Sequence, residues 1–100
     1  MTTTTADISA LPTFDAFRVQ ALSQGCDEVL ERRWAPGTVL EEHTHPFAAD
    51  ALVVQGEMWL TCDGAERRLV PGDRFTLEAL RPHSERYGPE GATYWVGRSR

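Results

Sequence analysis

The chain has no lysine: all ten of its basic residues are arginine, set against fifteen acidic residues for a net charge of −5. Without lysine there is no side-chain amine for Schiff-base or nucleophilic catalysis. Without a basic stripe nothing neutralises a phosphate backbone, so no nucleic-acid partner is expected. No apolar run approaches the ~20 residues that cross a bilayer. The start, Met1-Thr2-Thr3-Thr4-Thr5, has neither the basic nor the apolar part of a signal peptide. No membrane partner is expected, and the expected location is cytoplasmic. Cysteine is scarce too. Cys26 and Cys62 form no C-x-x-C and read as reduced thiols, although a disulfide between them stays open because sequence does not fix their separation.

What is present fits one small globular domain. One hundred residues, 41% hydrophobic and 9% aromatic, can enclose a single core. Residues 1–10 are Thr-rich and expected to form a flexible tail, leaving 11–100 as the domain. Phe14, Phe17, Val19, Ala21 and Leu22 recur at roughly helical spacing, with Thr13 as N-cap and Gly25 as stop, so a helix is expected over about 14–23. The rest alternates like strands between turn signals: 29–34, 39–45, 51–54, 58–62, 67–70, 75–77, 83–87 and 94–96. Asp63-Gly64 is a strong hairpin signal. Some eight short strands suggest an antiparallel sandwich or barrel, and that number suits a jelly roll.

Three histidines stand out. His43 and His45 form an H-x-H pair, and on a strand residues i and i+2 share a face, so both can address one ion. His83 lies on another predicted strand and would add a third nitrogen. Neutral imidazole is a common ligand for first-row transition metals.

In these residues the chain resembles a small single-domain cupin of the RmlC-like jelly-roll superfamily. The family's first motif is G-x5-H-x-H-x3,4-E-x6-G; here it reads Gly37-x5-His43-x-His45-x3-Ala49-x6-Gly56. The second, G-x5-P-x-G-x2-H-x3-N, reads Gly72-x5-Glu78-x-Leu80-x2-His83-x3-Tyr87. The likeness covers roughly residues 28–98. It implies an all-β cupin double-stranded β-helix with one short N-terminal helix, and a homodimer. The family's carboxylate ligand falls on Ala49, which cannot bind a metal. Asp50 is one residue late and faces the other way unless a bulge near Pro46 or Phe47 restores it. The expected site is therefore three histidines holding a divalent Fe, Ni, Zn, Mn or Cu ion, with its charge uncompensated by a ligand carboxylate.

Such a site favours a small anionic molecule bound at the metal, and among cupins it resembles those of thiol and diketone dioxygenases. A dioxygenase-like enzyme is one expectation; a non-catalytic binding or sensing module is the other, because fold alone names no reaction. Glu85 and Tyr87 share the face of His83 by alternation. They are the candidate catalytic residues, Glu85 as general base or hydrogen-bond partner of a ligand histidine and Tyr87 as hydrogen-bond donor. For Glu85 a structural ion pair with an arginine is the equal alternative. Glu41, in phase with His43, is a lesser candidate. Met58, Leu60, Phe75 and Leu77 are expected in the core, and Cys62 beside them. Trp59 and Trp95 fall on the opposite face, either exposed at a dimer interface or covered by the helix.

Overall fold

Two long strands thread through every layer of the protein. The computed structural model describes residues 11–100; the expected tail over 1–10 lies outside them. Its elements in chain order are α1 (Phe14–Ser23), β1 (Glu28–Trp34), β2 (Val39–His43), β3 (Ala48–Cys62), β4 (Ala65–Leu69), β5 (Arg74–Leu77) and β6 (His83–Ser99). All pairings are antiparallel, and β3 and β6 pair along most of their length. The C-terminal half of β6 and the N-terminal half of β3 lie between β1 and β5. Their other halves lie between β2 and β4. Two four-stranded layers thus share two strands, giving the jelly-roll barrel, with one helix among the described residues.

Six strands rather than eight result from two turns that are bends. The segments 51–54 and 58–62 belong to one strand, as do 83–87 and 94–96. Register shifts between Val53 and Gln55 and between Gly56 and Met58 mark the corner. At Gly56, φ is +82° and an added Cβ would lie 2.1 Å from the Gly91 carbonyl oxygen. Only glycine permits that backbone and that approach. The corner also switches phase: Ala49, Ala51 and Val53 face inward before it, Met58 and Leu60 after it. These residues, with Leu69, Phe75, Leu77, Tyr87, Ala92, Tyr94 and Val96, fill the barrel.

The helix seals one outer face. Thr13 Oγ1 accepts from the Ala16 N–H at 3.0 Å and Asp15 sits in the first turn, both favourable to a helix start. Gly25, at φ +103°, follows its end. Of the five apolar residues expected on its buried face, Phe17 and Ala21 are buried, while Val19 is 57% and Leu22 38% exposed. Phe17 and Ala21 pack with Leu52, Val29, Val54, Cys26 and Trp95 in a second cluster outside the barrel. No described helix is long and apolar enough to cross a membrane.

Candidate metal centre

The histidines come together by a route that alternation alone does not give. β2 ends at His43, opposite His83 on β6, and its register shifts between Leu40 and His43. Because of that bulge Leu40 and His43 both face the interior, while Glu41 and Glu42 are exposed. The expectation that the Glu41 side chain shares the His43 face is therefore wrong. The predicted strand 39–45 is also too long: His45 lies in the irregular segment before β3. Even so, His43, His45 and His83 each offer a nitrogen within 4.8 Å of the others. Ring centroids are 4.3 Å apart for His43 and His83, 4.9 Å for His43 and His45, and 5.1 Å for His45 and His83.

The backbone sets two of the ring tautomers. His43 Nδ1 lies 2.7 Å from the Glu41 carbonyl and His83 Nδ1 lies 2.8 Å from the Arg81 carbonyl. A carbonyl only accepts, so both Nδ1 atoms donate a proton to it. In the neutral ring Nε2 then carries a lone pair, the arrangement found in metal-ligating histidines. His83 is 2% exposed and its Nε2 is buried with no hydrogen-bond partner. A buried nitrogen without a hydrogen-bond partner beside two other imidazoles fits a site that could hold a metal ion. His45 is held below its ordinary pKa, first by burial and then by the positive charge of His43, His83, Arg98 and Arg32. Its ring stacks on Phe47 at 4.8 Å, and the Arg98 guanidinium also lies over the Phe47 ring, 4.4 Å from its centroid.

Glu85 and Tyr87 point inward as alternation from His83 requires, at 7% and 4% exposure. Glu85 Oε2 is 3.4 Å from His83 Nε2 and 3.5 Å from His43 Nε2. The Tyr87 hydroxyl donates to Glu85 Oε1, and the tyrosine ring stacks on Trp34 at 5.5 Å. Burial foremost, then the neighbouring Tyr94 and Glu85, raise the Tyr87 pKa far above its ordinary value, so the phenol stays neutral. The alternative of an arginine partner for Glu85 is not realised. The adjacent Arg86 turns outward, bonds Glu66 at 3.0 Å and lies 3.9 Å over the Trp59 ring.

The motif departures also find their places. Ala49 is a barrel-core residue opposite Leu77 and Arg98. Asp50 faces outward, 3.8 Å from Arg74. With Ala49 in the barrel core and Asp50 beside Arg74 on the other face of β3, Asp50 is not turned toward the histidines. Leu80, in the glycine position of the second motif, adopts the left-handed backbone a glycine would, at φ +65°. Its N–H donates to the His45 carbonyl at 2.7 Å, which ties the turn before β6 to the segment carrying His45. Trp95 lies under the helix, edge-on to Phe14 at 5.5 Å, and donates to Glu31 at 2.9 Å. Trp59 sits on the outer face of the other layer, so the two tryptophans form no shared patch. Cys26 and Cys62 are free thiols in different clusters.

Comparison with known proteins agrees with this architecture. A family model described as the cupin domain matches residues 30–94. No curated protein matches by sequence. Among solved structures, a protein of unknown function from Rhizobium leguminosarum aligns at TM-score 0.67 and 22% identity, over 71% of this chain and 67% of its own. An RmlC-like cupin from Shewanella frigidimarina aligns at TM-score 0.64 and 24% identity, over 71% and 63%. A variant of oxalate decarboxylase from B. subtilis aligns at TM-score 0.64 and 25% identity, over 71% of this chain and 20% of its own. The chain thus spans about two thirds of the first two and a fifth of the third. With the family model covering most of the described residues, and the barrel built as that family's motifs imply, the chain belongs to the cupin family.

Proposed function

We propose that this cupin binds one divalent transition metal through His43, His45 and His83 and uses it on a small anionic molecule, in a dioxygenase-like reaction. The observation that carries the reading is the convergence of the imidazoles around the buried, unpartnered His83 Nε2. All-imidazole donor sets suit Fe, Ni, Zn and Cu, with Mn also accepted, so the sequence of affinities leaves the choice to metal supply. When bound, such an ion supplies Lewis acidity toward an anionic group. Likeness to oxalate decarboxylase supports a small anion as the class of substrate.

The chain's own residues complete the site. Glu85 is the carboxylate within reach of the histidines and acts as proton acceptor. Tyr87, kept neutral by burial, donates the hydrogen bond that fixes Glu85. Trp34 stacks on Tyr87 and Phe47 on His45, giving the polar groups aromatic neighbours.

Elemental analysis of untagged protein, with His83→Ala as control, tests the metal reading: about one equivalent of metal is expected in the first and little in the second. No bound metal and no uptake of added Fe, Ni or Zn would sink it. Oxygen uptake by metal-loaded protein over a panel of thiols, β-diketones and hydroxy acids tests catalysis. Silence on every compound would turn the reading toward a non-catalytic binding module.

A further inference from the structure

We propose that Glu85 is itself a metal ligand, so that the centre is three histidines and one glutamate, with β6 supplying the carboxylate that Ala49 on β3 cannot. This rests on the metal reading above and deepens it.

Three observations carry it. First, the distances are those between ligands and not those of a hydrogen bond. Glu85 Oε2 lies 3.4 and 3.5 Å from the two Nε2 atoms. A charge-assisted N–H···O bond is about 2.7–2.9 Å long. Two donors sharing a tetrahedral ion at about 2.0–2.1 Å are separated by about 3.3–3.4 Å. Second, the atoms are disposed as a ligand set. Both Nδ1 atoms are engaged by backbone carbonyls, so it is the Nε2 atom of each ring, the one left for an ion, that faces Oε2. Third, the carboxylate is aimed. The Tyr87 hydroxyl occupies Oε1, which leaves Oε2 free toward the histidines and sets up one-oxygen ligation.

The relocated carboxylate changes the charge at the site. A divalent ion in three imidazoles keeps its full +2, whereas with Glu85 bound the centre carries +1. Glu85 would thus both lower the charge of the ion it holds and stand as the nearest carboxylate able to accept a proton from a bound anion's acid form.

Cobalt(II) binding to the full chain tests the proposal, with stoichiometry and affinity from calorimetry and coordination from the visible spectrum. Wild type is expected to bind one Co(II). Glu85→Gln, which keeps the shape and the hydrogen bond from Tyr87, is expected to weaken binding about 100-fold or more and to shift the visible bands. Tyr87→Phe is expected to weaken it only about tenfold, the low end of the range for an outer-shell hydrogen bond, and to leave the bands in place. A Glu85→Gln protein with wild-type bands and affinity overturns the ligand assignment while the metal reading stands. Wild type that takes up no Co(II), like His83→Ala, overturns the metal reading itself. Should Glu85→Gln fail to fold, wild type labelled with carboxyl-13C glutamate and loaded with Mn(II) decides the matter. A resolved 13C coupling in pulsed electron–nuclear resonance is expected, and its absence overturns the proposal.

Discussion

Replacing Leu80 by glycine should make the protein more stable. Leu80 holds φ at +65°, where an L-residue other than glycine is strained by about 1–2 kcal/mol. Its side chain is 66% exposed, so removing it forfeits little burial. Its N–H bond to the His45 carbonyl is a backbone contact and survives. Against the relief stands the greater freedom of glycine in the unfolded chain, about 0.5–1 kcal/mol. The net gain is about 0.5–1 kcal/mol, or roughly 2–8 °C in Tm for a domain of this size. The assay is thermal unfolding by circular dichroism on metal-free protein, since bound metal would add its own concentration-dependent stabilisation. Asp63→Gly is the control: φ there is +53°, but aspartate tolerates that region better, so the gain should be smaller. A Tm for Leu80→Gly that is unchanged or lower would refute the account of this turn.

Gly56→Ala should do the reverse, because its Cβ would lie 2.1 Å from the Gly91 oxygen. Strained φ and backbone overlap together cost about 3–5 kcal/mol, read as a loss of folded yield or a large drop in urea midpoint. Stability should fall as pH rises past the ordinary tyrosine pKa of 10.0, since Tyr87 and Tyr94 are both raised, chiefly by burial. Above that pH the unfolded chain has released protons that the folded one retains. Each tyrosine then contributes a slope of about −1.4 kcal/mol per pH unit, and Tyr87→Phe should flatten the profile in an alkaline denaturation series. Metal at about 100 times its Kd should stabilise the folded protein by about 2.7 kcal/mol. A chelator should abolish that shift in a melting experiment, and His83→Ala should never show it.

The parts of the fold legible in the sequence were those set by local chemistry. Thr13 and Gly25 bracket the helix where a cap and a left-handed stop belong, and period-two alternation marks the strands. The merging of strands was not legible, because a glycine that bends a strand and one that ends it look alike; Gly56 became a bend only because Gly91 approaches it. Alternation puts Glu41 on the wrong face because nothing in Leu40-Glu41-Glu42-His43 announces a bulge. Counting two residues from His83 does reach Glu85. Its closeness to two imidazoles depends on His43 facing His83 across β2 and β6, a pairing between segments forty residues apart. Alternation allows Trp95 either outer environment, and contacts with Phe14 and Phe17 place it under the helix.

His43 and His83 are each oriented by the carbonyl two positions upstream, at Glu41 and Arg81. Neither ring depends on a partner's side chain for its tautomer, as it would if an aspartate held the proton. The orienting group is main chain and therefore common to all twenty amino acids. Positions 41 and 81 can accordingly drift under mutation without disturbing the direction in which the two rings present their nitrogens. The site's geometry is inherited with the strand path, and neighbouring surface residues are left free to diversify around it.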